Sequence, residues 1–404
     1  MRIIQPMLPS ILLLCIVLLA VSCPNEGDPV NVLPDEEVST AMEFTASMKI
    51  GWTLGNSLDA HNDLSPGETA WGNPPITQAL LDAVAAKGFG AVRIPVTWGS
   101  MIGPAPNYAI NASWLRRVAE VVEYAGNAGM KSIINIHHDG ADSHYWLSVK
   151  TADLSGPVKT EMDAKFIAVW KQIAQYFQES GNYLIFEAFN ELHDGSWGNG
   201  NAAQHARVNE LNQIFVNTVR AAGGKNSDRF LVIPGWVTRP SVTVQSLVLP
   251  KDTAKDRLIV TFHYYDPYDF AGSAKWETWG SKSLTGSNGW ANENYLRNTF
   301  NSVKNKFIDS NIPVIIGEYG AVRQSSATGK AHRKYYMEYV TKYAADCGFV
   351  PFYWDNGALR AGSEGFGLFN RISPSSPVTD AEEIIGVMMK AVNEDYSLAD
   401  ITPP

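Results

Sequence analysis

Eight short apolar runs, each set off from the next by a stretch long enough for a helix, constrain this 404-residue chain more than any other feature. They occupy residues 50–54, 91–95, 132–136, 183–189, 230–233, 258–262, 314–317 and 350–353. Amphipathic stretches at 76–87, 114–129, 162–179, 204–222, 293–309 and 330–346 lie between them. Strands that are apolar along nearly their whole length belong to a parallel sheet covered on both faces. Eight such units in one domain favour an α/β fold closed into a single (β/α)8 TIM barrel over an open doubly wound sheet. No Gly-x-Gly-x-x-Gly turn follows the first run, which argues against dinucleotide binding.

In such a barrel the functional residues stand at the C-terminal ends of the strands. Those ends supply Asn56, Arg93, His137 with His138, Asn190 with Glu191, Trp236, His263 with Tyr265, Glu318 and Trp354. Polar or aromatic groups at almost every strand end are more than capping requires. Glu191 and Glu318 each end an apolar strand, where an unpaired charge is costly unless it is used. On strands four and seven they face each other across the mouth. Glycoside hydrolysis needs such a pair, one acid for the leaving oxygen and one carboxylate at the anomeric carbon. Asn190 suits a sugar 2-hydroxyl, and Arg93 can donate to the attacking carboxylate and keep it ionised. Tyr265 can bond the same carboxylate, His263 can orient the acid, and His137 reaches the hydroxyls of the cleaved sugar. Trp354 offers a flat face to a pyranose ring.

His137, His138 and Asp139 also suggest a metal site, but neighbours on a strand point to opposite sides. No metal and no cofactor is expected. Formal net charge is −9, and there is no basic run of the kind nucleic acid or an anionic membrane surface would select. Of three cysteines, Cys15 and Cys23 fall near the N-terminus and Cys347 stands alone, so no disulfide framework is expected. Arg2, the apolar run at 11–21 and Ser22-Cys23 form a lipoprotein-type signal peptide over 1–22, with Cys23 as the lipidated residue. The alternative is ordinary cleavage nearby. Residues 23–38 then form a tether, 39–396 the catalytic domain and 397–404 a polar tail. The chain is expected outside the cytoplasm, either secreted or held at a membrane by its lipid alone.

At these residues the chain resembles glycoside hydrolase family 5, the cellulase family, and most closely its subfamily 4. The matching segments run in family order, from Gly51-Trp52-Thr53-Leu54-Gly55-Asn56 and Glu68-Thr69-Ala70-Trp71-Gly72-Asn73-Pro74 through Gly90-Ala91-Val92-Arg93-Ile94-Pro95. They continue through Ile134-Asn135-Ile136-His137-His138-Asp139, Phe189-Asn190-Glu191, His263-Tyr264-Tyr265, Gly317-Glu318-Tyr319-Gly320 and Phe352-Tyr353-Trp354-Asp355-Asn356-Gly357. The resemblance implies a retaining endo-β-1,4-glucanase acting by double displacement, with Glu191 as proton donor and base and Glu318 as nucleophile. It implies a gap of roughly 5 Å between them. It assigns Arg93, His137, Asn190, His263 and Tyr265 to the catalytic set, and Asn56, His138 and Trp354 to substrate binding. The expected partner is a β-glucan chain, met by a monomer. Xyloglucan, mixed-linkage glucan or mannan are alternative substrates for the same site. A non-catalytic glycan-binding lipoprotein is the alternative from another class.

Overall fold

A computed structural model describes residues 40–63, 65–140, 146–376 and 378–404. The proposed signal, the tether up to residue 38 and Cys23 lie outside the described residues. The eight apolar runs are eight strands: β1 Gly51–Leu54, β2 Ala91–Ile94, β3 Lys131–Ile134, β4 Leu184–Glu187, β5 Leu231–Pro234, β6 Leu258–Tyr264, β7 Val314–Tyr319 and β8 Phe349–Asp355. All pair in parallel with their neighbours, and β1 pairs with both β2 and β8, closing the barrel.

Alternation along each strand divides the interior into layers. Ala91, Ile133, Ile185, Ile259, Ile315 and Val350 point inward at the lower level and pack as one apolar cluster. Two residues further up β2 and β4, the inward positions hold Arg93 and Glu187, both fully buried. The same pleat that fills the barrel with hydrocarbon below therefore delivers charge above. The bottom is plugged by α1, Ala41–Ser47, whose start is fixed by a reciprocal Thr40–Glu43 capping box. Its Phe44 stacks on Phe230 with ring centroids 3.9 Å apart.

Helices α2 Gln78–Ala86, α3 Ala112–Asn127, α4 Gly156–Tyr176, α5 Ala202–Ala221, α6 Pro240–Ser246, α7 Tyr268–Ala271, α8 Glu293–Lys306, α9 Ala327–Asp346 and α10 Ala381–Asn393 cover the outside. The long helices pack on the outer faces of the strands and on one another, as Trp170 of α4 does against Phe186 of β4 and Phe215 of α5. Beyond α10, Leu398–Asp400 form a short turn and Ile401 is buried, so the segment at 397–404 docks on the domain. Cys347 is buried as a free thiol, and burial pushes its pKa up to about 12, which makes it inert.

Candidate active site

The cleft is built in two tiers. In the lower one, the Arg93 guanidinium spreads to three partners. Its Nε donates to Glu187 Oε2 at 2.7 Å, one terminal nitrogen to Glu318 Oε1 at 2.8 Å, and the other to Asn190 Oδ1 at 2.8 Å. Burial works against the guanidinium charge, and the two carboxylates outweigh it, so Arg93 stays protonated.

The upper tier holds the two glutamates. Glu318 lies on β7, buried, and accepts from the Tyr265 hydroxyl at 3.2 Å. Glu191 stands just past β4. Its Oε1 meets His263 Nδ1 at 2.6 Å and the Thr238 hydroxyl at 3.2 Å. One oxygen of Glu191, one of Glu318 and a nitrogen of His263 lie within 4.8 Å of one another. The carboxyls therefore approach as closely as retention requires, without the extra room an inverting water needs.

Burial pushes both carboxyls up from the ordinary range. The sequence led us to expect an ionised Glu318, and its raised value is the difference that full enclosure makes. Opposition to burial is unequal, however. Arg93 contacts Glu318 directly, whereas Glu191 is met by the Thr238 hydroxyl and the His263 ring, and by charges only at a greater distance. The two titrate as a pair, and the shared proton belongs on Glu191. Burial pushes His263 down to about 4, so its imidazole is neutral where both roles are needed and can meet either form of Glu191. Thr238 has one hydroxyl proton for two acceptors, the Val237 carbonyl at 2.7 Å and Glu191. It can turn that proton to an ionised Glu191 or accept from a protonated one.

Two glycines make the close packing possible. A Cβ on Gly317 would lie 2.9 Å from His263 Nε2, and one on Gly55 would lie 2.5 Å from the Trp354 ring. Trp354 in turn lies parallel to the His137 ring, with centroids 6.0 Å apart. His137 Nε2 is 4.0 Å from Glu318 Oε1, and burial pushes its pKa well down, so it faces the site uncharged. His138 packs edge-on to His137 and lies among His61 and Trp71, with Nε2 3.6 Å from Asp59. Asn56 adopts φ +57°, and its backbone amide donates to Asp59.

The expected residues thus converge, with two adjustments. Trp236 is not at the rim: it is buried, and its indole donates to the Gly198 carbonyl beneath the loop that carries Trp197. Asp139 is not beside the histidines as a ligand. It accepts from the Trp98 and Gly99 amides and from the Trp146 indole, which organises the loops. Because β3 ends at Ile134, His137 and His138 lie beyond the pleat and do converge, with Asp59. Each Asp59 oxygen already accepts one backbone amide, from Asn56 at 3.0 Å and Ser57 at 2.7 Å, which ties this carboxylate to the turn that carries Asn56.

Sequence inspection missed Glu187, Asn135, Thr238 and the aromatics of a cavity of about 690 Å³ on the Glu191 side. That cavity is lined by both glutamates together with Trp197, Arg239, Tyr268 and Trp290. Trp197 and Trp290 are 60% and 51% exposed, an expensive way to place indoles unless a ligand covers them. Their signal was available as lone tryptophans in polar loops. Glu187 was discernible as an acid at an inward strand position.

The profile of the cellulase family, glycosyl hydrolase family 5, matches residues 55–359. Endoglucanase A of Paenibacillus barcinonensis is 39% identical over 371 residues, covering 87% of this chain and 90% of its own. A GH5-4 broad specificity endoglucanase from Bacteroides salanitronis superposes with a TM-score of 0.84 at 44% identity, over 91% of this chain and 97% of its own. A family 5 xyloglucanase from Paenibacillus pabuli gives 0.80 at 40% identity, over 87% and 100%.

Proposed function

The chain belongs to glycosyl hydrolase family 5, the cellulases, and from that membership we propose that it is a retaining endo-β-1,4-glucanase acting on internal bonds of β-glucan chains. The observation that carries the mechanism is the approach of Glu191 and Glu318 to within 4.8 Å, with a guanidinium on one and not on the other. Glu318 attacks the anomeric carbon while protonated Glu191 gives its proton to the leaving oxygen. Glu191, now ionised, takes a proton from water, which displaces Glu318 and restores the starting configuration. Asn190, its carbonyl held by Arg93, keeps its amide protons for the 2-hydroxyl of the sugar. Trp354, His138 and Asn56 line one side of the cleavage point, and Trp197, Tyr268 and Trp290 the other.

Exposed tryptophans on both sides of the glutamates, Trp71 beside His138 and Trp197 and Trp290 opposite, suit a long chain entering from either direction. They also support xyloglucan, whose branches need an open cleft, as the second substrate. Reducing-sugar release from carboxymethyl cellulose, xyloglucan, mixed-linkage glucan, mannan and xylan tests the reading. Glucan backbones should be cut at internal bonds, and activity confined to mannan or xylan would overturn it.

The pH profile follows from the two carboxyls. Activity is lost at low pH as Glu318 takes a proton, and at high pH as Glu191 gives one up. Burial raises Glu191, so the basic limb lies above the ordinary carboxylate range. In Glu191→Ala assayed with dinitrophenyl cellobioside, whose leaving group needs no acid, the basic limb should vanish; its persistence would point to another donor. Chelation with EDTA should leave turnover unchanged, and a loss restored only by added metal would revive the Asp59–His137–His138 cluster as a cation site.

The same proposal places the enzyme outside the cytoplasm, anchored through Cys23. Its support is the apolar run at 11–21 followed by Ser22-Cys23. Cells fed a tagged fatty acid should label the full-length protein, and Cys23→Ala should remove the label. An unlabelled wild-type protein would leave secretion by ordinary cleavage.

A further inference from the structure

Beneath the two glutamates lies a charged cluster that the double displacement does not itself use. Arg93 and Glu187, on inward positions of β2 and β4 with β3 between them, are both fully buried. Glu187 Oε2 accepts from Arg93 Nε at 2.7 Å and from Asn135 Nδ2 at 2.9 Å. Its Oε1 has no protein partner among the described residues. Asn135 also reaches His137 Nδ1 at 3.2 Å. One guanidinium therefore serves two carboxylates, of which only Glu318 meets the substrate.

The charge count explains why two are useful. With Glu187 and Glu318 both ionised around Arg93, the cluster carries one net negative charge. When the anomeric carbon bonds to Glu318, that carboxylate becomes a neutral ester, and the proton of Glu191 leaves with the departing hydroxyl. The negative charge has moved to Glu191, and what remains in the lower tier is Arg93 with Glu187, a neutral pair. Without Glu187 the lower tier would start neutral and end as a buried guanidinium with no carboxylate bonded to it, its nearest negative charge being the newly ionised Glu191 above, a costly state. Glu318 would also face the whole guanidinium charge beforehand, which stabilises its ionised form and weakens it as a nucleophile.

We propose that Glu187 is a positioning residue that keeps Arg93 compensated while Glu318 is esterified by the sugar, so that the buried cluster favours the covalent intermediate. This rests on the assignment of Glu318 as nucleophile. The groups facing Glu318 are Arg93 from below, itself bonded to Glu187, His137 at 4.0 Å, His263 at 3.7 Å, Tyr265 at 3.2 Å, and Glu191. Burial holds His137 and His263 neutral and Tyr265 protonated. Arg93, Glu187 and Glu191 are left to set the charge at the nucleophile.

The test is Glu187→Gln in the full-length enzyme. Glutamine keeps the shape and an oxygen for Arg93 and Asn135 but removes the charge. The acid limb of kcat/KM should move to lower pH by about one unit. Trapping by a 2-fluoro cellobiosyl fluoride, which reports formation of the glycosyl-enzyme, should slow at least about tenfold. A purely structural strut would lower stability and leave both readouts in place, so a folded variant with wild-type acid limb and trapping rate overturns the proposal. If circular dichroism shows that Glu187→Gln does not fold, Glu187→Asp is used instead. With the charge retained its acid limb should stay at the wild-type position, and a downward shift in that variant overturns the proposal equally. Peptide mapping of the trapped wild-type enzyme separates the two levels: a label on a residue other than Glu318 defeats the underlying assignment, not the role of Glu187.

Discussion

Glu318→Gln is expected to lower kcat by at least about 10⁵-fold on every glucan, since loss of a nucleophile removes the covalent route altogether. Glutamine is nearly isosteric and can still accept from Arg93, so stability should change little and bound oligosaccharide should still be detected. Glu191→Gln should be comparably inactive on polysaccharide, because the leaving alkoxide then receives no proton. The two separate on rescue. With dinitrophenyl cellobioside, whose leaving group needs no acid, azide should restore turnover to Glu191→Ala and yield a β-glycosyl azide, since the small anion attacks the glycosyl-enzyme in place of water without needing a base. Glu318→Ala has no glycosyl-enzyme for azide to meet on the same face, and any azide product there should have the α configuration. Wild-type rates in Glu318→Gln, measured as reducing-sugar release on purified protein, would mean that the nucleophile lies elsewhere.

Arg93→Met should cost about 3–5 kcal/mol of stability, the usual penalty for removing one partner of a buried ion pair. Met fills much of the volume, so the loss is electrostatic: Glu187 and Glu318 are left side by side without a cation. For a domain of this size that corresponds to a fall in Tm of roughly 5 °C. Activity should fall too, because Asn190 loses its anchor and Glu318 its orientation. The double variant Arg93→Met/Glu187→Leu should recover a large part of the stability and none of the activity, since two hydrocarbon side chains can replace a buried ion pair but not the alignment it provides. A single Arg93→Met variant as stable as wild type by thermal melting would show that the interior tolerates the bare carboxylates.

The barrel was legible because each run is apolar along nearly its whole length and eight such runs alternate with helix-length stretches in one domain. The eight runs matched the strands to within a few residues. The catalytic pair was legible for the related reason that Glu191 and Glu318 interrupt those runs at their ends. What escaped notice depends on pleat direction or on distant loops. Glu187 and Glu191 lie four residues apart on the same segment, yet one is sealed beneath the floor and the other faces the cleft; they are distinguished by where β4 ends, with Glu187 its last residue and Glu191 past the pleat. Thr238 reaches Glu191 because Val237 and Thr238 both take positive φ, 45° and 49°, an unfavourable backbone for β-branched residues that no propensity would suggest. Helix α1 is too short to show amphipathic periodicity, and its role as a plug depends on Phe44 meeting Phe230, far away in sequence.

The central claim is that Glu191 and Glu318 act by double displacement across a gap short enough for a covalent bond. Proton NMR of the first minutes of cellopentaose hydrolysis tests it most directly, because the new reducing end appears before it mutarotates. Retention predicts that the β-anomer signal rises first and the α signal follows with the mutarotation lag. An α-anomer appearing first would mean inversion, with a water between the carboxyls and Glu318 acting as a base.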